Sequence, residues 1–313
     1  MKWILLLSCM LVVSCGRQDQ KTVRIAINPW PGYEFLYLAD QKGIFEEVGL
    51  DIELVELASL ADVQRTYLQG RVDGMASTMI EVVHAVGESP EPLTLVLLPD
   101  YSNGGDVIVT RKDLGSLTEL KGKTVSAELG SLGMFMLHLG LQKVDLGLED
   151  VKLDNSEQLE IQGLLSSNRI DAAVTYPPFS TQILRDPNYH VLFDSSEVPQ
   201  QVIDVVSIKS SVIEQDPEWV TRFHQAWGKA LAFSRNHSEE AYAIMAEREG
   251  ITVEEFEQAL LGLQLVGENM QTSVLSDRSL INNAKEVCSV LSENRSISFE
   301  CGAIEDKVRV PTR

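Results

Sequence analysis

Positive charge is in short supply in this chain. It carries 26 Lys and Arg against 46 Asp and Glu, a net charge of −20 over 313 residues. Nucleic-acid binding needs clustered Lys and Arg, so nucleic acid is excluded as a partner. Histidine is sparse too. His84, His138, His190, His224 and His237 show no metal-ligand spacing with Cys or acids. His84 and His138 fall inside helical patterns and read as ordinary face residues. The chain has no Gly-x-Ser-x-Gly elbow, no phosphate loop and no dinucleotide fingerprint. The expectation is therefore no catalytic residue, no cofactor and no metal. Internal repeats and low-complexity runs are missing as well. No apolar run is long enough to span a membrane as a stable helix.

The apolar run that does occur is N-terminal. Met1-Lys2 is a short positive segment, and Trp3 to Val13 is mostly apolar. Residues 1–14 read as a signal peptide. Val12-Val13-Ser14-Cys15 resembles a bacterial lipobox, which would make Cys15 the lipid-bearing first residue of the mature protein. The alternative is an ordinary signal peptide with a chance cysteine. Residues 15–22 are polar and read as a tether. Cys9 leaves with the signal, so Cys288 and Cys301 remain. In an oxidising compartment such a pair forms a disulfide; two free buried thiols are the alternative.

The stretch Ile25 to Phe45 organises the rest. Val23 to Ile27 reads as a buried strand. Asn28-Pro29-Trp30-Pro31-Gly32 stops it, because two prolines remove backbone donors and Gly32 permits a tight turn. From Tyr33 the apolar period becomes helical, with Phe35, Leu36, Leu38 and Ala39 on one face. Gly43 ends the helix as a C′ glycine. The loop lies at the carboxyl end of its strand, where open α/β sheets bind ligands.

Strand and helix then alternate, as in an α/β lobe. Leu50 to Val55, Val72 to Ala76 and Leu93 to Leu98 read as strands. Leu60 to Leu68 and Met79 to Val86 read as helices, the second headed by a capping box from Thr78 to Glu81. In a second lobe, Asp106 to Thr110, Lys123 to Ala127, Val151 to Leu153, Asp171 to Tyr176 and Tyr189 to Phe193 are expected strands. Helices are expected from Ser131, as N-cap, to Gln142 and over Leu159 to Ser166. Ile203 to Ile208 reads as a returning strand. Everything after Pro217 is helical in pattern, with candidates at Glu218–Phe233, Glu239–Glu249, Val253–Leu263 and Leu275–Ser292.

Asn-Pro-Trp-Pro-Gly-Tyr, then Leu-Ala-x-x-Lys-Gly-Ile-Phe and Gly49-Leu-Asp-Ile-Glu53, resemble the opening of the nitrate/sulfonate/taurine-type substrate-binding proteins of ABC importers. Ser102-Asn103-Gly104-x-Asp106 and Leu117-x-x-Leu-Lys-Gly-Lys123 extend the resemblance, which covers nearly all of residues 22–230. It implies a two-lobed α/β periplasmic binding protein fold of type II, each lobe a mixed sheet flanked by helices around a hinged cleft. Residues 23–104 would form the first part of lobe one, 105–200 lobe two, and 201–313 the return to lobe one with its C-terminal helices. It implies capture of a small organic ligand, taurine- or sulfonate-like, for a permease–ATPase pair in a bacterial cell envelope; the charges of the expected cleft residues add an amine-bearing ligand as a candidate. The protein would be extracytoplasmic, monomeric and held to the membrane only by lipid. A sensing or partner-binding lipoprotein of the same fold is the alternative. Fungal thiamine-pyrimidine synthases share the general fold, but their Cys-Cys-Cys-Phe-Cys motif does not occur here. Tyr176-Pro177-Pro178 also departs from the resembled pattern, which places an acid before the proline.

The expected ligand residues are Trp30, Tyr33, Ser77, Thr78, Ser102, Asn103, Asp106, Glu128, Ser131, Tyr176 and Asp204. Trp30, Tyr33 and Tyr176 would wall the cleft. The helix starts after Thr78 and Ser131 would offer N–H groups to an anionic head group. Asp106, Glu128 and Asp204 bring carboxylates with no Lys, Arg or His in the same loops. A bare inorganic anion would be repelled, so a zwitterion or amine fits better, with the rings supporting its ammonium.

Overall fold

The computed structural model describes residues 22–293 and 300–311. The expected signal peptide, Cys15 and the tether up to residue 21 lie outside the described residues.

The chain begins with β1 (Val23–Ile27), α1 (Glu34–Gln41), α2 (Ile44–Glu47), β2 (Ile52–Glu56), α3 (Leu60–Leu68), β3 (Gly74–Thr78), α4 (Met79–Glu88), β4 (Leu93–Leu97) and β5 (Asp100–Ser102). It crosses into β6 (Val107–Arg111), β7 (Thr124–Ser126), α5 (Leu132–Gln142), β8 (Lys152–Asp154), α6 (Gln158–Ser166), β9 (Ala172–Thr175), α7 (Phe179–Leu184) and β10 (Tyr189–Asp194). It returns through β11 (Asp204–Lys209), α8 (Ser210–Ile213), α9 (Trp219–Asn236), α10 (Ser238–Glu249) and α11 (Val253–Leu260). β12 (Leu263–Leu265), α12 (Glu268–Leu275), α13 (Arg278–Glu293), α14 (Ile304–Lys307) and β13 (Val308–Arg309) complete it.

Two mixed sheets result. One has the order β13-β4-β11-β3-β1-β2, the other β10-β6-β9-β7-β8. In the first, β1 runs parallel to β2 and β3, and β11 runs antiparallel to β3 and β4. Four of the five β1 residues are buried, and only Arg24 is not. A strand covered by helices on both faces reads as a continuous apolar run instead of alternating. α1 buries the predicted stripe of Phe35, Leu36, Leu38 and Ala39. Gly43 follows it with φ of 64°, as expected of a C′ glycine.

Among the C-terminal helices, α9 lies on α1, and α13 lies on α4. Phe35 meets the fully buried Trp227 edge-on at 5.7 Å, and the Trp227 indole N–H donates to the Val266 carbonyl at 2.8 Å. Cys288 of α13 is joined to Cys301 by a disulfide with a Cα–Cα distance of 5.6 Å. No helix among the described residues is long and apolar enough to cross a membrane.

Three expectations need correction. The region after Pro217 is not wholly helical. α11 stops at Leu260, and Leu263–Leu265 forms an antiparallel strand with Asp100–Ser102. Leu261, Leu263 and Leu265 carry both spacings, and the distant partner strand decides between them. Second, the expected helix Leu275–Ser292 is divided: α12 ends at Leu275 and α13 begins at Arg278. Third, Ser77 and Thr78 belong to β3 and do not follow it, because β11 pairs along it as far as Asp204 opposite Thr78.

The chain passes between the sheets twice, after β5 and after β10, and the two crossings lie side by side. Ser102 Oγ and Ser195 Oγ are 2.7 Å apart, Gly104 N–H donates to Ser195 Oγ at 2.7 Å, and Tyr101 bridges to Ile203.

Candidate functional site

The loop from β1 to α1 closes on itself. Both the Tyr33 and Glu34 amides donate to the Trp30 carbonyl, at 2.8 and 3.1 Å. A β-carbon on Gly32 would lie 1.9 Å from Asp100 Oδ2, so only glycine lets the loop pass this acid. The Trp30 indole N–H then donates to Asp100 Oδ2 at 3.4 Å. Its far edge lies over Gly105, where a β-carbon would come within 2.7 Å of Trp30 Cη2. Across the cleft Tyr176 meets the Trp30 ring edge-on at 6.2 Å, and Tyr33 meets it tilted at 6.4 Å. The Tyr176 hydroxyl accepts from the Leu60 amide at 3.2 Å. The rings therefore form a wall that spans both lobes.

Acids form the rest. Tyr33 OH donates to Asp204 Oδ1 in a short hydrogen bond. Asp204, at the start of β11, is 2% exposed, and Asp106, at the end of the first crossing, is 1% exposed. Neither Asp106 oxygen receives a well-formed hydrogen bond, nor does Asp204 Oδ2 or Asp100 Oδ1. Burial pushes the Asp106 carboxyl up to about 7, and the nearby Ser102 hydroxyl only partly offsets this. Burial likewise raises Asp100 to about 7. Asp204 is raised well above the carboxylate range by burial first, then by the charges of Asp100 and Asp106. Tyr33 and Tyr176 are raised well above the usual phenol range, in both cases chiefly by burial.

The cavity enclosed by these groups measures about 10 Å³, room for about one water. The lobes are thus closed on one another. Of the expected ligand residues, Trp30, Tyr33, Thr78, Asp106, Tyr176 and Asp204 line it, together with Asn28, Leu60 and Leu132. No Lys, Arg or His is among these lining residues. A larger, open hollow of about 640 Å³ lies on the outer side of lobe one, between α8, α9, α12 and β13. Its charged residues Glu214 and Arg309 pair with each other at 3.0 Å, so the unpartnered acids mark the cleft instead.

Five expected site residues stand elsewhere. Asn103 is exposed, and its amide is tied to the Gly262 carbonyl. The Ser102 hydroxyl is engaged with Ser195 and the Asp106 amide, serving the crossing instead of a ligand. The Ser77 hydroxyl turns to the Thr78 carbonyl at 3.3 Å, because neighbouring strand positions face opposite ways. Glu128 sits behind Tyr176 against Gln158, its carboxyl raised to about 7 by burial. Ser131 occupies the N-cap position of α5 but does not cap it; its hydroxyl donates to Glu81 Oε1 at 2.6 Å. The two helix starts are therefore not open to a ligand anion.

Asp100, Asn28 and Glu81 were missed. Asn28 directly follows β1, and Asp100 opens β5 just past β4, on the loop side of the sheet. Glu81 was visible only as half of a capping box. Its other role spans 50 positions.

A profile of the family described as NMT1/THI5 like matches residues 30–241. A Haemophilus influenzae protein provisionally named for thiamine biosynthesis is 24% identical over 217 residues, 68% of either chain. A Brucella abortus protein provisionally named a binding protein is 23% identical over 239 residues, 75% of this chain and 73% of that one. The periplasmic aliphatic sulphonate binding protein of Escherichia coli superposes with a TM-score of 0.75 at 17% identity, covering 89% of this chain and 94% of its own. The last likeness establishes the two-lobed periplasmic binding protein fold. The profile covers well over half of the sequence, and on it the chain belongs to the NMT1/THI5-like family.

Proposed function

We propose that the protein is the extracytoplasmic solute-binding component of an ABC importer, and that its ligand is a small organic molecule carrying an amine or another cationic nitrogen. The two crossings act as the hinge: the lobes open to admit the ligand and close around it with the chamber wider than in the ligand-free closed state, where it holds about one water. Cys15 anchors the mature, monomeric protein by lipid, and a permease–ATPase pair receives the ligand.

One observation carries the ligand class: Asp106 is buried with both oxygens lacking a sound hydrogen bond, beside Asp100 and Asp204, in a chamber without a basic residue. A buried acid is costly unless paired. A cationic nitrogen supplies the missing donors, and the faces of Trp30, Tyr33 and Tyr176 support its charge. A sulphonate head group, which gives the Escherichia coli protein its name, finds no counter-charge here. The name of the Haemophilus influenzae relative points to thiamine-related amines, which meet the charge requirement.

Asp204→Asn tests this reading. The amide keeps the shape and still accepts from Tyr33 but removes the charge. A charge-assisted hydrogen bond contributes roughly 1.5–3 kcal/mol. Calorimetric titration with the ligand recovered from the native protein by mass spectrometry should show binding weakened by about one to two decades. Unchanged or tighter binding overturns the cationic reading.

A further inference from the structure

Glu81 lies in the first turn of α4, in lobe one, and is fully buried. Its Oε2 closes an ordinary capping box, accepting from the Thr78 amide at 3.0 Å and the Thr78 hydroxyl at 2.5 Å. In most capping boxes the second oxygen faces water. Here Oε1 crosses the cleft and accepts from the Ser131 hydroxyl at 2.6 Å and the Leu132 amide at 2.9 Å, the start of α5 in lobe two. One carboxylate thus takes four donors from two helix starts. This is the arrangement a bound anion would meet, since helix N-termini favour negative charge. The anion is supplied by the protein itself.

We propose that Glu81 determines which charge class the cleft accepts. As a resident anion it occupies the donors of both lobes, completes their closure and leaves a ligand only the acid-lined chamber beside it. The cationic reading of that chamber is the one given above, and the role of Glu81 rests on it only for the ligand that remains admissible. Gln64 supports the same closure by donating to the Gly130 carbonyl across the cleft at 3.0 Å. The geometry also makes the charge of Glu81 hard to replace. Glutamine has one carbonyl oxygen, so it can satisfy the donors of one lobe and must turn its NH₂ toward those of the other.

The test uses Glu81→Ala and Glu81→Gln in the full-length protein, with inorganic sulfate and methanesulfonate as probes. Calorimetry should show the Ala variant binding either probe at least about tenfold more tightly than wild type, since charge-assisted hydrogen bonds are freed for it. Glu81→Gln should show a smaller gain. Solution X-ray scattering without probe should give a larger radius of gyration for both variants than for wild type. No gain for either probe in a variant whose circular dichroism shows it folded overturns the proposal. If Ala fails to fold, the Gln variant decides it by the same criterion. Failure of the amine reading appears elsewhere, as unchanged ligand binding in Asp204→Asn, so the two failures are separable.

Discussion

Two groups of buried acids flank the loop that carries Trp30, and they differ in one residue. Behind the loop, Glu34 of α1 is paired with Arg248 of α10, whose guanidinium also donates to Glu56 at 2.8 Å and lies 4.9 Å over the Tyr37 ring. In front, Asp100, Asp106 and Asp204 have rings and one another but no arginine. Burial raises Glu34 to about 7 even so, with Arg248 pulling against it. Glu249, alongside, is raised well above the carboxylate range by burial and by Glu34. A buried acid that the chain itself pairs is part of the scaffold. A buried acid left to its own kind, at the closing face of two lobes, is what the proposed cationic ligand would pair.

The largest effect should come from removing the arginine. Arg248→Met makes the rear group resemble the front one and leaves Glu34 without its partner. Breaking a buried pair this way costs roughly 3–5 kcal/mol, measurable by urea unfolding. The cost should be smaller at pH 5 than at pH 8, because a Glu34 titrating near 7 is neutral at the lower pH. An equal cost at both pH values would break the comparison.

The front group should show a pH dependence of the same sign in the wild type, with no substitution needed to reveal it. Asp100 and Asp106 have folded values of about 7, above the usual unfolded value near 4. The folded state therefore holds protons that the unfolded state has released. The contribution of these two acids is full below about pH 4 and is lost as pH rises through about 7, and Asp204, raised further, extends the loss to higher pH. The melting temperature should drop by several degrees across that window, at about 2–4 °C per kcal/mol. A bound amine should reverse the trend by favouring the charged acids, with protons released on binding. Calorimetry in two buffers of different ionisation enthalpy reads that release, and zero protons would contradict the front group's assignment.

Trp30→Ala should weaken ligand binding about tenfold or more by removing a cation-supporting ring, without the pH signature of Arg248→Met. Titration calorimetry with the recovered ligand checks it. The smallest effect belongs to Arg185, which forms a two-pronged ion pair across the lobes with Glu255 at 2.6 and 2.7 Å, largely in solvent. Arg185→Ala should change unfolding free energy by less than about 1 kcal/mol. A larger loss would place the closing contacts at this rim instead of at Glu81.

Much of the scaffold was legible because it is written locally. β1, α3 and the Thr78–Glu81 cap follow from periodicity and from side chains three residues apart. The three rings stand out in sequence for local reasons: Trp30 lies between two prolines, Tyr33 immediately precedes α1, and Tyr176 sits between β9 and a proline pair. Ser77, Ser102, Asn103 and Ser131 do not line the chamber, and sequence could not show this because small polar residues at turns fit a ligand, a crossing or a cap equally well. The strand Leu263–Leu265 escaped notice because its partner lies more than 150 positions away.

By itself, then, the sequence determined the alternation of strand and helix, the stiff aromatic loop and the excess of acid over base, since each depends on neighbouring residues or on composition. Only the tertiary structure decided which acids would be satisfied. Glu34 finds Arg248 214 positions away, and Glu81 finds Ser131 and Leu132 in the other lobe. Asp106 finds no cation among the residues lining its chamber. The energy of a buried charge depends on what stands within a few ångströms of it, and the closing of two lobes sets that distance.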